Sequence, residues 1–168
     1  MLYNIAGRTG TNIETPMLLR LAEVPNIAAV KEASGNISQI AEVCASVPES
    51  FLVFSGDDAI TLAVIGLGGS GIVSVVSNEI PAEMGAMTRA ALANKWDIAR
   101  HLFRKYLPLM QANFIESNPG PAKAVLAMMG RIEEVYRLPL VPMKKDTRAK
   151  LEKVATELGL LQTQPAAG

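Results

Sequence analysis

With 168 residues, 49% of them hydrophobic, the chain is one domain-sized object, with room for a small appendage, and has ample apolar material for a packed core. Sixteen basic residues balance sixteen acidic ones with no long run of either sign, which excludes the electrostatic footprint of a nucleic-acid or anionic-membrane partner and leaves small neutral or weakly anionic ligands. A lone cysteine, Cys44, and a lone histidine, His101, exclude an intrachain disulfide and argue against a Cys/His metal site, and Gly or Pro breaks every apolar stretch well short of a membrane span, so an untargeted cytoplasmic protein is expected.

In chain order, an apolar run at 2–5 reads as a strand, and apolar spacing predicts a helix at about 14–23. The run at 27–30 predicts a second strand, which "SGN" at 34–36 separates from a helix at 37–46. Runs at 51–54 and 72–76 predict two more strands, followed by helices at about 58–66 and 80–93. Strand then helix, four times over, predicts parallel strands with crossover helices. Successive strands begin roughly every 20 to 25 residues, which suits a (β/α) barrel at least as well as an open sheet. Beyond Asn94 the pattern is helical, at about 95–115, where Pro108 invites a kink, and at 120–129. An extended link at 138–142 then leads to a helix at about 146–159 with Asp146 as its candidate cap, and a stretch at 162–168, rich in Pro, Ala and Gln, is expected to be disordered.

Polar residues cluster where the strands end: Tyr3 and Asn4, Lys31, Ser55 to Asp58 with Gly56 between, and Ser74 inside the fourth run. In parallel α/β folds those ends share one face, which carries the active site. A phenol, an amine, a hydroxyl and carboxylates are thus expected at one region, although Ser55, Asp57, Asp58 and Ser74 are equally the residues with which strands stop and helices begin. Lys31 is the sharper signal. An amine flanked by an apolar strand and small residues loses solvation, which favours its neutral, nucleophilic form. The residues alone leave open a Schiff-base lysine or a snorkelling, salt-bridged one.

"YNIAGRTG" at 3–10, "VKEASGN" at 30–36, "FSGDD" at 54–58 and "GIVSVVSN" at 71–78 agree in order and spacing with the dihydrodipicolinate synthase family of pyruvate-dependent class I aldolases, which the chain resembles. "ESNPGPAKAVLAMMG" at 116–130 and "YRLPLVPM" at 136–143 resemble that family's C-terminal helical segment, and the likeness runs from Leu2 to about Leu161. The resemblance implies an α/β chain from a (β/α)8 TIM barrel, carrying its last four βα units at 1–93 and the helical segment at 94–161. Lys31 matches the lysine that forms an imine with pyruvate, and Tyr3 the tyrosine that relays protons. Arg8 matches the arginine that binds the carboxylate of the aldehyde, Val73 a pyruvate-lining position that acts through its backbone, and Gly56 lies near the same pocket. No cofactor and no metal is implied. The substrates implied are pyruvate and aspartate semialdehyde, condensed in lysine and diaminopimelate biosynthesis by a homo-oligomer.

The resemblance has two departures. Alanine stands at Ala6 where such families usually have proline, which stiffens the loop holding the arginine. The chain also opens at what would be strand five, so Met1 reads as an internal methionine, and the first half of the barrel is missing with a threonine and a second tyrosine of the proton relay. Slow imine formation without useful turnover is therefore the expectation for the chain by itself. The alternatives are another pyruvate aldolase, such as an N-acetylneuraminate or keto-deoxy sugar acid lyase, against which Arg8 speaks, and a non-catalytic fragment.

Other signals take a structural reading. Gly66, Gly68 and Gly71 satisfy G-x-G-x-x-G but follow a helix and precede a strand, the reverse of the dinucleotide-binding order. His101 is expected to be exposed, Cys44 to fill a core position, and Asp57 and Asp58 to cap a helix. Met84, Met87, Met110, Met128 and Met129 read as helix packing.

Overall fold

The computed structural model describes residues 1–161, so the expectation for 162–168 falls outside the described residues. Four strands, β1 (Leu2–Asn4), β2 (Ala29–Glu32), β3 (Leu52–Ser55) and β4 (Gly71–Ile72), form one parallel sheet in sequence order. Between them run a one-turn helix α1 (Ala6–Thr9), then α2 (Thr15–Ala22), α3 (Ile37–Ser46) and α4 (Thr61–Gly66). Helices α5 (Pro81–Leu92), α6 (Trp96–Ala112), α7 (Gly120–Met128) and α8 (Lys145–Glu157) follow.

The chain divides into two compact units. The first comprises 1–74 and 86–100 and contains the whole sheet. Its larger core cluster joins Val30 and Val53 of the sheet to Leu18 of α2 and Val43 of α3, with Phe51 beside them. Leu2, Val30 and Val53 are register partners, so their side chains leave one face of the sheet together, and that face is the one the helices cover. Asn36 caps α3 by accepting from the Gln39 N–H at 3.2 Å, and Pro16 opens α2 at a position where its missing N–H costs nothing. A second cluster packs Ile65 of α4 against Ala90, Ala91 and Ala99.

The second unit comprises 75–85 and 101–168. Within it α7 packs on α8, with Ala124, Val125, Leu151 and Ala155 buried. Asp146 does not cap α8. Lys144 holds the N-cap position without a side-chain bond, Asp146 sits inside the first turn, and the Glu116 carboxylate does the capping from outside by accepting from the Lys144 N–H at 3.0 Å and from the Thr147 hydroxyl. Helix α6 runs on through Pro108.

β1 and β3 lie within one residue of expectation at each end, and two strands differ more. β2 extends to Glu32, two residues past the apolar run, because the ladder continues through Tyr3↔Lys31↔Phe54 whatever the polarity of the side chains, so Lys31 stands inside the strand. β4 is only two residues long. The Val73 N–H still donates to the Ser55 carbonyl at 2.9 Å, after which 76–78 form a 3-10 turn, and Ser74 lies beyond the strand. The glycines of the G-x-G-x-x-G match end α4 and turn the chain into β4, with Gly68 at φ +103° and Gly71 at φ +147°, conformations that side chains rarely adopt.

Candidate active site

Strand alternation divides the C-terminal ends of the strands into two rows. On the face that helices do not cover, register partners Tyr3, Lys31 and Phe54 stand side by side, followed by Gly71 on β4. Tyr3 is 47% exposed, while Lys31 and Phe54 are half-buried. The Lys31 Nζ lies 4.1 Å from the centroid of the Tyr3 ring, a cation–π distance that brings a phenol beside the one amine of the row.

Gly56 closes the row from behind. Its N–H donates to the Glu32 carbonyl at 2.7 Å. A Cβ placed on it would sit 2.7 Å from Ala33 Cβ, 3.0 Å from the Glu32 oxygen and 3.0 Å from Lys31 Cε. The absence of a side chain at position 56 thus leaves the space that the lysine stem occupies. Val73 is half-buried, its N–H spent on Ser55. Arg8 lies on α1, directly after β1, with its side chain exposed. The structure therefore sets Lys31 beside Tyr3 and close to Gly56, leaves Val73 on the continuation of β4, and puts Arg8 on a surface turn at the same end of the sheet.

The opposite row is Asn4, Glu32 and Ser55, again register neighbours, and all three are buried. Ser55 thus does not share a face with Lys31, because it is one residue out of phase with Phe54. Its hydroxyl donates to the Asp57 carbonyl at 2.8 Å, and Asp57 Oδ1 accepts from the Ala59 N–H at 2.8 Å, so Ser55 and Asp57 shape the turn into α4. Asp58 is buried in that turn. Of the groups expected to converge on the amine, the phenol of Tyr3 stands beside it, whereas the Ser55 hydroxyl and the Asp57 carboxylate are spent on the turn into α4.

Glu32 was not singled out in the sequence, and Asn4, expected among the polar strand ends around the amine, lies in the opposite row. Burial pushes the Glu32 carboxyl up from its ordinary value, and hydrogen bonds from Ser34 (3.0 Å to Oε2) and Asn4 oppose the shift. Its Oε1 is buried without a hydrogen-bond partner. The signal available in the sequence was parity: a carboxylate and an amide on the buried face of adjacent strands need polar company. Among the residues given a structural reading, His101 is exposed, Met84, Met87 and Met110 are buried, and Cys44 is half-buried at the edge of the sheet's core cluster. Burial raises the Cys44 thiol, and the charge of Glu32 adds to the effect. Among the described residues no cluster of three or more His, Cys, Asp or Glu is arranged to hold a metal, and no helix is long and apolar enough to cross a membrane.

Comparison with known proteins places this geometry in context. The model of the dihydrodipicolinate synthetase family matches residues 1–158. The 4-hydroxy-tetrahydrodipicolinate synthase of Koribacter versatilis is 62% identical over 167 residues, which cover 99% of this chain and 56% of that protein. Among solved structures, the dihydrodipicolinate synthase of Aquifex aeolicus superposes with a TM-score of 0.93 at 37% identity, covering 96% of this chain and 56% of the other. The chloride-inhibited dihydrodipicolinate synthase of Acinetobacter baumannii, complexed with pyruvate, gives 0.92 at 34% identity, covering 95% and 55%. The chain spans a little over half the length of the curated relatives it matches.

Proposed function

The chain belongs to the dihydrodipicolinate synthetase family, and on that premise we propose that it carries the imine-forming site of a 4-hydroxy-tetrahydrodipicolinate synthase, which condenses pyruvate with aspartate semialdehyde. The observation that carries this reading is the placement of the Lys31 amine 4.1 Å over the Tyr3 ring on the uncovered face of a parallel sheet, at the C-terminal strand ends. The neutral amine of Lys31 adds to the keto carbon of pyruvate, and loss of water gives the iminium. The oxygen leaving as water takes a proton, which in this reading the Tyr3 hydroxyl supplies. The iminium then draws electrons from the methyl group, which loses a proton and becomes the carbon nucleophile that attacks the aldehyde. Return of the substrate's own amine to the imine carbon releases Lys31. Gly56 leaves room for the lysine stem, the backbone at Val73 borders pyruvate, and the Arg8 guanidinium binds the aldehyde's carboxylate as a planar fork. Arg8 favours this short carboxylate-bearing aldehyde over the sugar acids of related lyases.

We read the four-stranded sheet as the last four βα units of an eightfold barrel. Support comes from the sequential parallel order of the strands, the purely helical continuation after β4, and superposition on about half of each related enzyme. A homo-oligomer in the cytoplasm is the corresponding setting. With Tyr3 as the proton-transfer group beside Lys31, the 168-residue chain by itself is expected to form the imine slowly and to turn over poorly, because such groups act as a unit.

The test is chemical. Incubation with pyruvate and borohydride should fix a reduced adduct on Lys31, located by peptide mass, and Lys31→Ala should abolish it. An unlabelled chain under conditions that label a full-length family member would end the reading.

A further inference from the structure

Within the segment that presents Arg8, the Thr9 hydroxyl bonds the Ile5 carbonyl at 3.1 Å and the Thr11 carbonyl at 2.9 Å and accepts from the Thr11 N–H at 3.2 Å, bonds that begin and end inside the turn itself. None of the residues 5–11 is buried, α1 is a single turn whose N-cap Ile5 makes no side-chain bond, and alanine stands at position 6. A guanidinium that must meet a carboxylate in fixed fork geometry needs a firmer base than this.

That base is a clasp of amides. Asn4, 2% exposed, reaches from the end of β1 to the far end of the segment. Its Oδ1 accepts from the Ile13 N–H at 3.0 Å, and its Nδ2 donates to the Ile13 carbonyl at 3.3 Å and to Asn12 Oδ1 at 2.9 Å. One side-chain amide thus pairs with both backbone groups of Ile13, as a neighbouring strand would. Asn12 Nδ2 in turn donates to Gln39 Oε1 at 2.8 Å, and Gln39 Nε2 donates back to the Ile13 carbonyl at 3.0 Å. Gln39 stands in the first turn of α3, a helix capped by Asn36 and seated by the fully buried Ile40 and Val43, so the clasp ends on a rigid element.

We propose that Asn4, Asn12 and Gln39 are positioning residues that hold the Arg8 segment in register with Lys31, and so set the enzyme's selectivity for an aldehyde that bears a carboxylate. This inference rests on the assignment of Lys31 and Arg8 above. The clasp ties both ends of the turn, restricting it by side-chain hydrogen bonds where the usual proline would restrict it by its ring.

The experiment avoids turnover. The full chain is first converted with pyruvate and borohydride to the reduced Lys31 adduct, which fills the pyruvate position and cannot react further. It is then titrated calorimetrically with succinate semialdehyde and with propanal, which lacks the carboxylate. The unsubstituted adduct should prefer succinate semialdehyde. Arg8→Ala and Asn12→Ala should each weaken that binding about tenfold, the upper range for loss of one hydrogen bond that fixes a charged arm, with little change for propanal. The double variant should bind no more weakly than Arg8→Ala, because a positioning residue acts only through the group it positions. Asn12 is exposed, and Gln39→Ala reaches the same clasp from the helix side should Asn12→Ala unfold. Unchanged binding in both clasp variants, or losses that add to that of Arg8→Ala, would overturn the inference while leaving the assignment of Arg8 intact. Equal binding of the two aldehydes by the unsubstituted adduct would remove the assignment of Arg8 and this inference with it, and absence of the adduct would remove both together with the role of Lys31.

Discussion

The Lys31 Nζ sits 4.1 Å above the centre of the Tyr3 ring, between strands paired so that the two residues are register partners. Neither side chain could be moved by one position along its strand without turning to the opposite face, so the contact is a property of the ladder as much as of the residues.

From this contact follows the expected behaviour of Tyr3→Phe. Phenylalanine keeps the ring beneath the amine but removes the hydroxyl, so imine formation should slow by on the order of 10²-fold, the scale of lost general acid catalysis. Because Tyr3 is half exposed, stability should shift by no more than about 0.5 kcal/mol. The rate of borohydride-trapped adduct formation measures the first effect and thermal denaturation the second. An unchanged trapping rate would take Tyr3 out of the proton transfer.

Gly56→Ala makes a steric test of the same site. The added carbon meets Ala33 Cβ at 2.7 Å and both the Glu32 carbonyl and Lys31 Cε at 3.0 Å, and the first two belong to a paired strand end with little freedom to yield. We expect a loss of about 1–3 kcal/mol in stability, as for overpacking, and a lower yield of Lys31 adduct at saturating pyruvate. Gly7→Ala is the control. Its Cβ meets nothing within 4 Å in the one-turn helix α1, so unfolding midpoints that fall equally for both variants would mean that the crowding around Lys31 is not what costs stability.

Helix α3 was legible to the residue, because Asn36 is a capping type and Ile37, Ile40 and Val43 recur at helical spacing. Lys31 stood out as a candidate because an ammonium at the end of an apolar run needs a reason. The extent of β2 was not, since polarity marks where burial stops on one face and the ladder is blind to it. Ser55 was read as a neighbour of Lys31 because both lie at strand ends, and the alternation that separates them depends on register, which a single strand's sequence does not state. The clasp stayed hidden for a different reason: Asn4, Asn12 and Gln39 are separated by 8 and 27 residues, and each taken alone is an ordinary polar residue of a strand end, loop or helix start.

Glu32 makes the fold sensitive to pH. Its carboxyl is raised above 4.5, first by burial, so the folded state favours the protonated acid. That preference contributes stability in full below about pH 4.5 and is lost as the pH rises through the higher folded-state value. Glu32→Gln removes the titration, so the variant's unfolding midpoint should fall less than the parent's between pH 4.5 and neutrality. The same substitution removes the charge that raises the Cys44 thiol, and alkylation of Cys44 at mildly alkaline pH should quicken. Parallel pH curves for parent and variant would mean that Glu32 is ionised in the fold at no cost.

The sheet's own boundaries lead to the last expectation. Among the described residues, the outer edges of β1 and β4 pair with no strand, and the face carrying Lys31 exposes Tyr3 at 47% and Leu52 at 42%. Open edges and an uncovered apolar face are a template for pairing, and a two-fold arrangement satisfies both surfaces with one self-complementary contact. The 168-residue chain should therefore associate with a second copy as its concentration rises, and light scattering after size exclusion should give a mass above that of one chain. Leu52→Lys sets a charge on the uncovered face, two residues along the strand from Phe54, and the register gives it only Ala29 as direct neighbour. It should shift the equilibrium toward the single chain at little cost to folding, because a lysine on an exposed strand position keeps its ammonium in water while still accepting the ladder. A parent chain that stays at the mass of one copy across the whole range would show that this face is satisfied without a partner, and the expectation of self-association through it would have to be abandoned.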